Sequence, residues 1–252
     1  VTIEIESVNT DALEKLEAEG VKIFPKPAAI KIIRNKIRQK EFYKEHAIPS
    51  PEFVITRDLE ELKQQKAFLP SVHKIGEGGY DGKGVQLIKN EAAIDKGFDA
   101  PSVLEKMVVI KKEIAIIVAV NDKAETALYP ASEMIFDPVL NLLDYQLCPV
   151  QLKDQLQWKA EAIALKAVSE LKSPGLFAVE LFIDINDQVL INEIAPRVHN
   201  SGHHTIDACV SSQYEQQVRA LCGLPLGEAR QHSASVMVNL LGELWYEGLD
   251  PH

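Results

Sequence analysis

The chain opens on a period-two alternation. Ile3 and Ile5 fall on one side of "TIEIE" and Glu4 and Glu6 on the other, which predicts a strand. "DALEKLEAEG" follows with helical spacing, Asp11 placed to cap it and Gly20 to end it. Between Ala28 and His46, Ile30, Ile33 and Ile37 recur at helical spacing, and Lys36 and Lys40 share an exposed face. The two prolines of "IPSPEF" break that helix, and "DLEELKQQK" predicts a short one. Strands follow at "SVHKI", "VQLI", "SVLEKMV", "KEIAIIVAV" and "ALYPASEMIF", with the loop "GEGGYDGKG" between the first two. Leu156, Ala160, Ile163, Ala164, Ala167, Val168 and Leu171 form the apolar stripe of a longer helix, which Pro174 and Gly175 end. "FAVELFIDINDQVLINEIA" reads as a hairpin turning at Asn186-Asp187, and a helix over roughly 212–222 and the apolar strand "SVMVNLL" complete the pattern. Helices mixed with largely antiparallel strands predict an α/β (α+β) fold.

Composition narrows the function. The 252 residues are 46% hydrophobic, enough for one large domain or two small lobes. A net charge of −10 argues against general nucleic-acid or anionic-membrane binding, but not against a small anion held in a local basic pocket. Cys148, Cys209 and Cys222 lie far apart, so neither a zinc site nor a disulfide framework is indicated. No apolar stretch spans a bilayer and no signal peptide is present, so the cytoplasm is the expected compartment.

Three constellations carry chemistry. In the hairpin, a two-residue turn at Asn186-Asp187 pairs Ile185 with Gln188 and sets Glu180 directly opposite Glu193. Like charges so placed destabilise a sheet, and a hard cation such as Mg²⁺, shared with substrate phosphates, removes the penalty; the alternative is a solvated sheet face. In "KIGEGGYDGKG", Gly78, Gly79, Gly82 and Gly84 let backbone N–H groups approach phosphate, with Lys74 and Lys83 supplying charge; the alternative is a surface hairpin. It matches neither a Walker A loop nor a Rossmann fingerprint. After Glu193 come Arg197, His199, Asn200, Ser201, His203 and His204, a set suited to binding a carboxylate or phosphate and to orienting a reactant. Zinc would need helical spacing of the histidines, which Asn-Ser-Gly disfavours.

Together, the glycine-rich loop after a lysine-bearing strand, "VLEKMV" with Glu113 downstream, and Glu180 with Asn192-Glu193 resemble the ATP-grasp fold, two lobes of largely antiparallel sheet clasping ATP. "GGYDGKG" and "NEIAPRVHNSGHHT" are similar, more specifically, to the N5-carboxyaminoimidazole ribonucleotide synthetase family. That resemblance implies a ligase using ATP, Mg²⁺, bicarbonate and 5-aminoimidazole ribonucleotide in purine biosynthesis, working as a homodimer. It implies that Lys36, Lys74 and the lid Gly79, Tyr80, Asp81, Gly82, Lys83 and Gly84 meet ATP. Glu105, Lys106, Met107 and Val108 would form the hinge strand at adenine, and Glu113 would accept from the ribose. Glu180 and Glu193 would hold Mg²⁺ with Asn192 beside them. Tyr80, Asp81, Arg197, His199, Asn200, Ser201 and His203 would line the bicarbonate and acceptor end, and Glu4 or Glu6 would reach the acceptor. The implied organisation is a remnant of a Rossmann-like domain (1–27), linker helices (28–70), a small lobe (71–125), a large lobe (126–225) and the start of a C-terminal domain (226–252). The family's N-terminal domain is mostly absent and its C-terminal stretch missing, and Ser7 stands where the family often has His or Asn. Other ATP-grasp ligases, formate-using or biotin-carboxylase-like, and a non-catalytic nucleotide-binding fragment remain as alternatives.

Overall fold

Every strand ladder among the described residues is antiparallel, and the strands sort into two sheets. The computed structural model describes residues 1–79, 84–137 and 142–240. Helices α1 (Thr10–Ala18), α2 (Pro27–Ile33) and α3 (Lys36–Glu45) come first. They lead to β1 (Phe53–Thr56), α4 (Leu59–Gln64), β2 (Ser71–Ile75), β3 (Val85–Ile88) and β4 (Ser102–Lys106). Next come β5 (Ile110–Val120), β6 (Thr126–Leu128), β7 (Ser132–Phe136), β8 (Leu143–Cys148) and α5 (Asp154–Glu170). The hairpin β9 (Gly175–Asp184) and β10 (Val189–Ala195), then α6 (Thr205–Ala208), α7 (Gln213–Leu221) and β11 (Ser235–Val238), finish the order.

The smaller sheet runs β1-β4-β2-β3 and the larger β10-β9-β5-β7-β8-β11, with β6 on β5. Strand alternation sets one face of each sheet against helices. In the smaller, Leu104 and Ile88 pack with Leu62 and Ile94. In the larger, Ile114, Ile116, Val118, Val179 and Leu181 pack against the alanine-rich stripe of α5, where Ala160, Ala164 and Ala167 let the helix sit close. On the opposite face of the larger sheet, Ile117, Ala119, Leu176 and Ala178 pack into a second cluster with Tyr129 and Cys209, and the face turns polar at Glu113 and Glu180. Sheet membership divides the chain at the connector 107–109: β1 precedes residue 71 yet belongs to the smaller sheet, and β5 precedes 125 yet belongs to the larger.

Other expectations change for physical reasons. Residues 1–8 form no strand: Val1 exchanges two backbone bonds with Lys22 and Phe24, 2.7 and 2.9 Å, and the ladder goes no further. The cap of α1 is Asn9, whose side chain accepts from the backbone N–H groups of Asp11 and Ala12; Asp11 lies inside the helix. The stretch from Ala28 to His46 is two helices, because Asn35 caps a new one by accepting from Arg38 N–H. "ALYPASEMIF" splits into β6 and β7 around Pro130, which has no N–H to donate. β1 and β8 were not legible as strands. No helix among the described residues is long and apolar enough to cross a membrane.

Candidate functional site

The site builds on polar side chains set among apolar ones on one face of each sheet. In the smaller sheet, Lys74 pairs with Val103, and Glu105 with Val72, so Lys74 and Glu105 share the face turned away from Leu104. In the larger, Glu113 pairs with Phe182, and Ala115 with Glu180, so Glu113 and Glu180 share the face turned away from α5.

The hairpin reaches this arrangement by a route other than the expected one. The two-residue turn is corrected to a longer one: Asp184 N–H donates to Gln188 O at 3.0 Å, and Asp187 takes φ +58°. Asp184 Oδ1 steadies the turn by accepting from Asn186 N–H and Gln188 N–H at 2.8 and 2.7 Å. That turn pairs Ile191 with Leu181, and a β-bulge at Asn192 then shifts the register so that Glu193 faces Glu180. Bulges re-aim side chains. Here Asn192 and Glu193, though consecutive, both escape the core: Ile191 and Ile194 are buried while the two between them are half-buried.

The basic side chains come from the other direction. Lys36 N–H donates to Gly76 O at 2.8 Å, tying the start of α3 to the end of β2. Lys36 Nζ then pairs with Glu193 Oε2. Lys74 Nζ donates to Asn192 Oδ1 at 2.9 Å and lies 3.1 Å from Glu105 Oε1. The larger sheet is thus joined to α3 through Lys36–Glu193 and to the smaller sheet through Lys74–Asn192. Lys40, one turn beyond Lys36, was expected on an exposed face. It is instead buried, 2% exposed, with Nζ 3.2 Å from Glu105 Oε2. The sequence signal was an i,i+4 lysine pair, which by itself reads as a solvated face.

Charge follows this geometry. Burial, and then the facing Glu193, push the Glu180 carboxyl up. Lys36 holds Glu193 down despite burial. Burial alone would raise Glu105, but Lys74 and Lys40 together outweigh it and lower it. Burial pulls Lys40 down to about 8. It raises Glu113, against Lys74.

Beyond β10 the polar loop is held by α7. Gln213 accepts from His199 N–H at 3.0 Å and donates to His199 O at 2.8 Å, a clamp that sequence reading missed. His199 Nδ1 accepts from Ser201 N–H at 3.3 Å and lies 2.9 Å from Ser201 Oγ, so the ring proton sits on Nε2, which faces Glu180 Oε1 at 3.8 Å. Burial lowers the His199 pKa to about 4, so the ring is neutral. Arg197 Nε donates to Glu6 Oε1 at 2.9 Å. The structure thus brings Glu6 to the loop, whereas Glu4 stays exposed. His203 is exposed and turns to α7, stacking on Tyr214 and lying 2.9 Å from its hydroxyl. Asn200 opens a 3-10 turn, Asn200–Gly202.

Of the expected lid, Gly79 and Gly84 form the neck: Gly84 takes φ +93°, and a Cβ there would meet Gly79 Cα at 2.8 Å. Tyr80, Asp81, Gly82 and Lys83 lie outside the described residues. Glu105 sits within β4, and the connector 107–109 carries the chain between the sheets. Along it Met107 and Val109 are exposed, 40% and 56%. No group of three or more His, Cys, Asp and Glu side chains arranged for a metal occurs among the described residues. The acidic set is Glu180 with Glu193, which suits a hard cation that completes its shell with phosphate oxygens and water.

Two antiparallel sheets, with Lys74 on the smaller, Lys36 on the adjoining helix and paired glutamates on the larger, define a protein of the ATP-grasp class, and the ATP-grasp domain family matches residues 41–214. N5-carboxyaminoimidazole ribonucleotide synthase of Aquifex aeolicus is 35% identical, over 98% of this chain and 67% of its own length. Among solved structures, N5-carboxyaminoimidazole ribonucleotide synthetase of Thermotoga maritima matches with a TM-score of 0.86 and 40% identity, over 96% of this chain and 63% of that one. The Aspergillus clavatus synthase, solved in complex with ADP and 5-aminoimidazole ribonucleotide, matches with a TM-score of 0.85 and 31% identity, over 93% and 64%. The chain belongs to the ATP-grasp family and, within it, to the N5-carboxyaminoimidazole ribonucleotide synthase family. It spans about half the length of several curated relatives it matches.

Proposed function

We propose that the protein carboxylates 5-aminoimidazole ribonucleotide: bicarbonate is phosphorylated by ATP to carboxyphosphate, and the substrate amine captures the carboxyl group, giving N5-carboxyaminoimidazole ribonucleotide, ADP and phosphate. The observation that carries this reading is Glu193, set opposite Glu180 by the bulge and paired with Lys36 of α3. Phosphoryl transfer needs positive charge and metal at the phosphates, and a labile anhydride needs protection from water.

In this reading Lys36 and Lys74 meet the phosphates, under a lid from Gly79 to Gly84 that includes Tyr80, Asp81, Gly82 and Lys83. The backbone of Glu105, Lys106, Met107 and Val108 meets adenine, and Glu113 accepts from the ribose. Glu180 and Glu193 hold Mg²⁺, which when bound neutralises phosphate charge, with Asn192 beside them. Arg197, neutral His199, Asn200, Ser201 and His203 line the bicarbonate and acceptor end with Tyr80 and Asp81. His199 offers a hydrogen bond rather than a charge there, because its lowered pKa leaves it neutral. Glu6 orients Arg197 through the 2.9 Å bond rather than reaching the acceptor directly. The working form would be a cytoplasmic homodimer, with segment 1–27 and the residues from 226 onward belonging to flanking domains.

The test is ADP release by the complete protein with Mg²⁺-ATP and bicarbonate, with and without 5-aminoimidazole ribonucleotide. Stimulation by the ribonucleotide is expected. ATP binding without that stimulation, or stimulation by formate in place of bicarbonate, overturns the acceptor assignment.

A further inference from the structure

Lys40 is buried beside the nucleotide site, yet it is not among the groups expected to touch ATP. Its ammonium lies 5.8 Å from the ring centre of Tyr43 and 6.0 Å from that of Phe53. Its charged partner is Glu105, which is 3% exposed. Two charges so buried are a poor way to gain stability, since an apolar pair of similar volume does as well or better. Glu105, however, has two oxygens and two lysines. Oε2 faces Lys40 at 3.2 Å and Oε1 faces Lys74 at 3.1 Å. Lys74 is the less buried lysine, with 13% of its side chain exposed, and it continues across to Asn192 at 2.9 Å. The order Lys40, Glu105, Lys74, Asn192 runs from α3 through β4 and β2 to the bulge of β10. An apolar pair would serve the core and would not orient Lys74.

We infer that Lys40 is a positioning residue: by occupying one oxygen of Glu105 it leaves the other to Lys74, and so holds the Lys74 ammonium at Asn192 and at the phosphate site. The phosphate part of this rests on the proposed function; the Lys74–Asn192 part does not. Without Lys40, both oxygens of Glu105 compete for the one remaining cation, and Lys74 is drawn away from Asn192.

The test uses the complete protein and the variants Lys40→Met, Lys74→Met and the two combined. Lys40→Met should raise the KM for ATP by about tenfold, the scale of one charge-assisted hydrogen bond, with a smaller effect on kcat. In the Lys74→Met background the same change should add nothing, because Lys40 acts through Lys74. Crystals of Lys40→Met should show the Lys74 to Asn192 contact broken. Lys40→Met/Glu105→Gln, which removes both buried charges, should recover the melting temperature, which separates lost stability from lost positioning. An intact Lys74–Asn192 contact in Lys40→Met, or additive losses in the combined variant, overturns the inference. Should the protein bind no ATP, the proposed function fails, and the contact in the crystal still decides the role of Lys40.

Discussion

His73 shows how much one side chain's surroundings decide. It is fully buried in the smaller sheet. Its Nδ1 accepts from Phe98 N–H at 3.2 Å, so the proton is on Nε2, which donates to Thr56 Oγ1 at 3.1 Å. Burial pulls its pKa from 6.5 to about 4. A depressed folded pKa contributes stability at pH values above the unfolded pKa, and that contribution is lost as pH falls from 6.5 toward about 4. The loss from this one group approaches about 3 kcal/mol by the usual conversion of pKa to free energy. His199 and His204 are depressed in the same direction, also by burial, so the wild type falls further. His73→Asn should therefore flatten the fall without abolishing it. Urea unfolding at pH 7 and pH 4.5 measures the difference, and identical slopes in both proteins would refute the assignment.

At the scale of elements, the hairpin β9–β10 is the device that makes the site. A turn residue with positive φ sets one register and the bulge at Asn192 resets it. Glu193 reaches Glu180 only after both. Asp184 holds the turn through two backbone N–H groups, and Asp187 is tied to Lys111 at 2.7 Å and Lys153 at 3.2 Å. Asp184→Ala should cost about 2 kcal/mol, since hydrogen bonds to a charged acceptor are the stronger kind. Chemical denaturation reads this directly, and a change below a few tenths of that would show that the turn is set by Asp187 alone.

For the molecule as a whole, Lys36 of α3 and Lys74 of the smaller sheet face Glu180 and Glu193 of the larger, so a ligand held by both sets should stabilise both. Mg²⁺-ATP at a hundred times its Kd should raise the unfolding free energy by about 2.7 kcal/mol. Chelating the metal should remove most of that gain. Glu193→Gln should melt near the wild type without ligand, respond little to Mg²⁺ and lose ADP release by about 10²–10³-fold. Thermal melts with ATP, with and without EDTA, test this, and an undiminished Mg²⁺ response in the variant would be falsifying evidence for the two-carboxylate site.

The periodic elements were legible because their cause is local. The stripe of α5, the alternation of β2 and the apolar runs of β5 and β9 depend on which faces are apolar, and that is written in consecutive residues. The glutamates, the glycine neck and the polar loop were legible too, because their residue types carry chemistry wherever they stand. What the chain could not show by itself was set by partners distant in sequence. The segment "TIEIE" has the alternation of a strand but no neighbour among the described residues to complete a ladder. The alignment of Glu180 and Glu193 was expected from a two-residue turn and arises from a longer turn plus a bulge, two register changes that compensate. Lys40 looked solvent-facing because an isolated helix puts both lysines outside, and only packing of α3 over β4 brings it onto Glu105. Local pattern determined the strongly periodic elements and the residue types they bear. Tertiary structure alone decided that Lys36 meets Glu193 and that Lys40 and Lys74 meet Glu105, because these partners are too far apart in sequence for local spacing to encode their distance.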